Sequence, residues 1–492
     1  MIRISPAPVE ESHWQSMVRK RKMLQCSFSS LPAETVSSIL KAVLEDIVQD
    51  DMVITPEAEH QMLTGGLPFP HTMALVCRRW RDIVSSTPEL WTRIFWMISV
   101  PEEEDRHHIN SQLEKSGTHP FHLTIINSWS HKRGIRVILH RIAPHLQRLK
   151  SLRMANFYEA RDQPHLDTLT GYAPQLESLQ LTDGKHIHHC TDYKSRLKLD
   201  CPALRIFHVD RIVACNLNHR WLKNNLTHIE FMTISCGSGR INRIYDTQAV
   251  LLSRALEAVP RRIPCLTLDN LQLSDSSLAF LNQAGVKIGA EQVILRISID
   301  ALAAIDDDCQ TIVIEQCDSV HDIQSISLPS SSRSLELDEC KSKEPPRVPD
   351  THTWDGDTVT ITNSHSSCIE IILHLLGAPF NDHSCSLWRH VTTLKLVANG
   401  DFGLNLSLIL LKAMISSRQG VAEENNLSGK NDEDNVELDG VRPLMVLHVH
   451  GGQPLSRQER AWFEKRVRNF VWDGPFQGNV CSKGIDVQAD DQ

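Results

Sequence analysis

Three short clusters carry side chains whose types and spacing could do chemistry. The run HIHHC places His186, His188, His189 and Cys190 within five residues. Imidazole and thiolate ligands so spaced can hold zinc, but a structural site draws four ligands from two such clusters. No second cluster lies nearby at finger spacing, so a polar loop is the expected reading. Asp306, Asp307 and Asp308 could attract a cation, and helix capping or simple solvation is the better expectation. GSGR at 237–240 lacks the Lys-Ser/Thr pair of a phosphate loop and reads as a turn. Neither G-x-S-x-G nor H-E-x-x-H occurs. Carboxylates are plentiful, but nothing in their spacing pairs them. No catalytic residue, cofactor or metal ligand is assigned, and a chain without catalysis of its own is expected. A hydrolase hidden in the repeats described below would need a pocket of convergent titratable groups.

The elements that position side chains are therefore the informative part. At 492 residues the chain exceeds one ordinary domain, unless stacked repeats extend a single core. A net charge of −9 gives no support to a nucleic-acid surface. The longest apolar runs, such as Leu404 to Ile415, are too short to span a membrane. The first residues, MIRISPAPVEESHW, lack the apolar stretch of a secretory signal. Thirteen cysteines, odd in number and none in a C-x-x-C pair, read as reduced thiols and imply a cytoplasmic or nuclear location. Arg19 to Lys22 is a basic run that reads as a solvated helix face or a nuclear import signal.

After Pro101 the form L-x-x-L-x-L recurs. It appears as Leu149, Leu152 and Met154, then Leu176, Leu179 and Leu181, then Leu204, Phe207 and Val209, then Leu226, Ile229 and Phe231. Ile263, Leu266 and Leu268 and then Cys309, Ile312 and Ile314 continue it, with weaker versions at SRSLEL, DTVTI, VTTLKL and LMVLHV. The first central residues are spaced by 27, 28 and 22, a period that indicates a solenoid with one short strand per repeat. HRWLKNN and DTQAVLLSRALEAVP have helical spacing between motifs. The expected fold class is α/β, with a curved parallel sheet and outer helices over residues 101–472. An ordinary α/β domain with leucine-rich strands is the alternative. Residues 421–440 are polar and acidic and are expected to be a disordered loop. Leu455 to Trp472 reads as one amphipathic helix closing the solenoid, with Trp462, Val467, Phe470 and Val471 on its apolar side. Residues 1–26 are expected to be a mobile arm and 473–492 a tail.

Residues 27–96 form a smaller unit. Leu31 and Pro32 precede a helical run in which Val36, Ile39, Leu40, Val43 and Leu44 recur at helical spacing. Residues 46–71 become acidic and then rich in Gly and Pro, as in a loop inserted between two helices. Met73, Val76, Cys77 and Trp80 then make a second stripe at i, i+3, i+4, i+7. Ser85 to Pro88 stop that helix, and Leu90 and Trp91 lie beyond the stop. So small a unit has little room for a core, so some large apolar side chains are expected to stay uncovered for a partner.

LPAETVSSIL followed by ALVCRRWRDIVSSTPELW resembles an F-box of the fungal type, and HPFHLTI at 119–125 resembles the passage from an F-box into repeats. The inserted loop departs from the family pattern. The repeat region is similar to an irregular leucine-rich repeat, whose pattern continues to an Asn or Cys three residues after the last strand leucine. Cys317, Cys340 and Asn399 fall there, whereas Gly184 and Leu271 replace it elsewhere. The resemblance implies a Skp-type adaptor bound by the F-box, joined through it to cullin and RING subunits, and an unknown target protein held by the repeats. It implies Leu31 and Pro32 docked on the adaptor. Ile39, Leu40, Leu75, Val76 and Trp80 would fill the helical interface and module core, and Leu90 and Trp91 would complete it. Leu31, Pro32 and Trp91 are expected to point outward. The alternative is a repeat scaffold acting outside ubiquitination, whose helical unit serves its own stability.

Overall fold

The structure is a computed structural model. It describes residues 31–50, 69–98, 102–127, 132–155, 169–182, 197–210, 219–235, 243–244, 262–269, 272–273, 290–296, 308–316, 328, 332–340, 354–377, 388–398, 407–428 and 441–473. The chain divides into two compact units, Met1–Leu152 and Arg153–Gln492.

The first unit opens with helices α1 (Ala33–Asp50), α2 (Phe69–Ala74) and α3 (Arg78–Ser85) and a 3₁₀ turn, Pro88–Trp91. Strand β1 (Arg93–Ile98), helix α4 (Glu102–Lys115), strand β2 (Phe121–Asn127) and helix α5 (Lys132–Ile142) follow, leading into β3 (Leu149–Ala155). Arg148 fastens the end of α4 to β2. Its guanidinium donates to Leu113 O at 2.8 Å and Ser116 Oγ at 2.9 Å and lies 5.0 Å from the Phe121 ring.

The second unit is built of short strands. They are β4 (Thr170–Tyr172), β5 (Ser178–Thr182), β6 (Lys198–Asp200), β7 (Ile206–Asp210), β8 (Phe231–Ser235), β9 (Arg243–Ile244) and β10 (Ile263–Asp269). Then come β11 (Gln272–Leu273), β12 (Ala290–Arg296), β13 (Thr311–Glu315), β14 (Ser334–Asp338), β15 (Thr358–Thr362), β16 (Thr393–Val397), β17 (Val446–His450) and β18 (Asn469–Asp473). Helix α6 (His219–Asn225) lies between β7 and β8, α7 (Ser366–Leu375) between β15 and β16, α8 (Leu408–Ser428) between β16 and β17, and α9 (Arg457–Arg466) between β17 and β18.

Fourteen strands form one sheet in the order β1-β2-β3-β5-β7-β8-β10-β12-β13-β14-β15-β16-β17-β18. Each strand of this sheet joins beside the one that precedes it within the sheet, as expected when each repeat contacts only its neighbours. The pairings are parallel, as at β7–β8, β12–β13 and β16–β17. Parallel neighbours need a crossover, which explains the long segments between strands. β4–β6 and β9–β11 are separate two-stranded pairs.

Alternation within each strand sends every second side chain to one face. Leu179, Phe207, Met232, Leu266, Val293, Ile312, Leu335, Val359, Leu394 and Leu447 stand in register across ten strands. All ten are at most 1% exposed. The residue three before each strand centre is buried as well, including Leu176, Leu204, Ile229, Ile263, Cys309, Val391 and Leu444. In several repeats one carbonyl accepts two amides from the next. Arg205 and Ile206 donate to Glu177 O, Arg333 and Ser334 to Gln310 O, and Thr392 and Thr393 to Asp357 O. Gln316, Glu339 and Asn363, each just past its strand, have φ of 55°, 52° and 48°. Side chains other than Gly, Asn and Asp seldom adopt such values. Their amides nonetheless extend the ladder by one bond, to Asp338 O, Thr362 O and Val397 O.

Several sequence expectations need correction. The fourth motif is offset: β8 buries Met232 and Ile234, whereas Phe231 is 51% exposed. Ile229, Met232 and Ile234 are the true triplet, and the spacings between the centres Leu152, Leu179, Phe207 and Met232 become 27, 28 and 25. AEQVILR, with no leucine before its centre, is a full strand, β12. RIFWMI is β1, so the helical unit ends at the 3₁₀ turn and Trp96 belongs to the sheet. Helix α1 continues to Asp50 and α2 begins at Phe69, so both ends of the expected loop 46–71 are helical. Helix α8 likewise takes in residues 421–428 of the expected disordered loop, while 429–440 lie outside the described residues. The expected closing helix ends at Arg466, and Phe470 and Val471 lie on β18. Ser456 and Glu459 start that helix with a reciprocal capping box.

Cys340 stands at its expected ladder position and is fully buried, its thiol directed at Ile314 O, 3.5 Å away. Cys317, Asn399, Gly184 and Leu271 lie outside the described residues, as do residues 1–26, 186–190, 237–240, 246–260 and 474–492 and Asp306 and Asp307.

Candidate docking surface

The helical unit has a core of its own. Val36, Leu40, Ile83, Val84, Leu90 and Trp91 form one buried cluster, and Leu31, Leu44, Met73, Ala74 and Trp80 pack against it partly buried. Pro32 supplies the carbonyl that Val36 N reaches at 3.2 Å, which starts α1. Cys77 has an extended backbone and caps α3, its sulfur accepting from Trp80 N at 3.5 Å. The continuous stripe expected from Met73 to Trp80 is therefore two helices broken at Leu75 and Val76. Arg79 donates to Leu31 O, and Arg81 Nε donates to Ala74 O at 3.3 Å. Lys41 and Glu89 pair at 2.8 Å, and the hydrogen bond from Lys41 is the main cause holding the Glu89 carboxyl below its ordinary range.

Trp91 closes this core from below. Its indole Nε1 donates to Val84 O at 2.7 Å. His71 meets the ring edge-on at 5.0 Å, and Lys115 Nζ sits 4.0 Å from the ring centroid. Gln112 Nε2 lies 3.2 Å from His71 Nε2. Trp91 thus joins α2, α3 and α4.

The nine expected docking residues separate into three groups. Leu40, Leu90 and Trp91 are at most 2% exposed and make the core. The expectation that Trp91 points outward is wrong, because its indole fills the space between α3 and α4. Leu31 and Trp80 are half-buried against the same cluster. Pro32 is exposed. Ile39 is 41% exposed, Leu75 64% and Val76 59%, and Val43, read as part of the apolar stripe but not as a docking residue, is 41% exposed. On α1, Ile39 and Val43 flank the buried stripe of Val36 and Leu40 on the side away from Lys41. The apolar stripe on α1 is wider than the core it covers, which is the signal that could have moved Val43 into the docking set.

The second unit offers two polar surfaces. On the sheet face opposite the buried column, Arg296 pairs with Glu315 at 2.6 Å and His208 Nε2 lies 3.2 Å from Ser235 Oγ. Burial, with Arg153 and Arg296 nearby, pushes the His208 imidazole down to about 4. Burial raises the Asp269 carboxyl against the pull of Arg296. Burial and then Glu339 and Glu315 raise Asp338. At the leading ends of β5, β7, β8, β10 and β12, an open cleft of about 780 Å³ is lined by Glu177, Arg205, His228, Glu230, Arg262 and Glu291 among others. Arg205 and Glu230 pair there at 3.3 Å. Among the described residues no group of three His, Cys, Asp or Glu could hold a metal ion, and no helix is long and apolar enough to cross a membrane. No protein-family model matches the chain, and no curated protein matches it in sequence.

Proposed function

We propose that the chain is a non-catalytic substrate receptor of a Skp–cullin–F-box ubiquitin ligase. The N-terminal helical unit docks the Skp-type adaptor, and the repeat sheet holds a target protein. Cullin and RING subunits, reached through the adaptor, supply the transfer chemistry, and the receptor contributes proximity. The observation that carries this reading is the exposure of Leu75 and Val76. A unit with enough apolar residues to fill its own core still leaves these two, with Ile39 and Val43, in solvent. Exposed clusters of large apolar side chains mark interaction surfaces more often than chance. Affinity purification of the tagged chain with the proteasome blocked tests the reading. A Skp-type adaptor and a cullin should be recovered together, and recovery of neither would overturn it.

One observation favours the second reading, a repeat scaffold acting outside ubiquitination. Trp91 binds the helical unit into α4 through Lys115 and, by way of His71, Gln112. A unit so joined serves the stability of the first strands. That role is compatible with docking, and the purification separates the two readings.

A further inference from the structure

The turn between α2 and α3 combines the two most exposed large apolar side chains described in the unit with a net positive helix start. Helix α3 carries Arg78, Arg79 and Arg81 against one carboxylate, Asp82, in a chain whose net charge is −9. Arg79 is engaged with Leu31 O. Arg78 and Arg81 are exposed and make no ion pair among the described residues. Arg81 is also fixed in place. Its Nε bonds Ala74 O, the carbonyl immediately before Leu75, so its cationic head borders the apolar pair. Arg78 lies one turn before Arg81 on the same helix face.

We propose that this turn docks an acidic partner surface, one with an apolar centre to receive Leu75 and Val76 and carboxylates at its rim to meet Arg78 and Arg81. The proposal rests on the docking reading and adds the partner's chemistry. The apolar pair supplies affinity by desolvation, and the arginines supply selectivity and a faster, salt-sensitive encounter.

Two synthetic leucine-faced helical peptides, identical except for glutamate or lysine flanks, are titrated against the full chain by fluorescence anisotropy. With two exposed ion pairs each worth about 0.5 kcal/mol, the glutamate peptide should bind about fivefold tighter at low salt. That preference should vanish in the Arg78→Gln/Arg81→Gln variant, reverse in Arg78→Glu/Arg81→Glu, and shrink at high salt. Unchanged thermal unfolding of both variants establishes that they fold. Equal affinities, absent binding, or a preference that survives the charge reversal would each overturn the proposal. Capture of a Skp-type adaptor by the wild-type chain is scored separately. Its failure overturns the docking reading, while the peptide pair still decides the partner's charge.

Discussion

The Trp91 indole nitrogen donates to the Val84 carbonyl at 2.7 Å, and both residues are at most 2% exposed. This bond joins the 3₁₀ turn to the end of α3, making Trp91 a core residue. The docking role proposed for this unit then falls to the side chains the core leaves out. Trp91→Ala should cost about 3–5 kcal/mol, as for other large aromatic truncations in cores. Leu75→Asp with Val76→Asp should change stability by no more than about 0.5 kcal/mol, since both side chains face solvent. Urea unfolding followed by near-ultraviolet circular dichroism distinguishes the two outcomes.

The register of β8 gives a second paired test. Met232 is 1% exposed and stands between Phe207 and Leu266 in the buried column, whereas Phe231 is 51% exposed. Met232→Ala should cost about 2–5 kcal/mol. Phe231→Ser should be nearly neutral. The reverse ranking in thermal unfolding would restore the motif as first read from the sequence.

Arg418 on α8 is 1% exposed. Its guanidinium donates to Leu376 O, Trp388 O, Arg389 O and Val391 O at 2.6–3.0 Å. Burial lowers its pKa to about 10, so it stays charged at neutral pH. Arg418→Met leaves four carbonyls short of a donor and should cost at least about 3 kcal/mol. Arg418→Lys keeps the charge but loses the planar fork and should fall between wild type and Met. Chemical denaturation of the three proteins measures the order.

His122 and His208 are both pushed down to about 4 by burial, with neighbouring cations adding to the effect. A folded-state pKa below the unfolded value of 6.5 means that the unfolded chain binds the proton first. Their contribution to stability is therefore complete above pH 6.5 and is lost as pH falls through that value toward about 4. Unfolding free energies at pH 7 and pH 5 should differ less in His122→Gln and His208→Gln than in wild type. An equal or larger difference would show that these imidazoles are not the groups responsible.

The repeat architecture was legible because a two-residue alternation and a recurring leucine triplet impose it directly. SRSLEL, DTVTI, VTTLKL and LMVLHV all became strands of the one sheet. AEQVILR was missed because Ala290 occupies the leading core position that a larger side chain such as Leu176, Leu204 or Ile263 fills in other repeats. LTHIEF was misread because Leu226 and Ile229 are both buried and both three residues before a candidate centre. Only the pairing partner decides between two such registers. In the helical unit the apolar residues were identified, but not their directions. Leu90 and Leu75 are alike in sequence, and only the break at Cys77 and the turn of Trp91 against Val84 send one inward and the other outward. Helix α4 was not foreseen, because its sequence EEEDRHHINSQLEK has almost no apolar stripe and packs through Ile109 and Leu113.

The central claim is that Leu75 and Val76 dock a Skp-type adaptor. Isothermal titration of the full chain with purified adaptor tests it most directly, comparing wild type with the Leu75→Asp/Val76→Asp variant. Wild type should bind, and the variant should bind about thirtyfold more weakly, the loss of on the order of 2 kcal/mol expected at an interface hot spot, with its unfolding midpoint unchanged. Equal affinity of the two proteins, or no binding by wild type, would contradict the account.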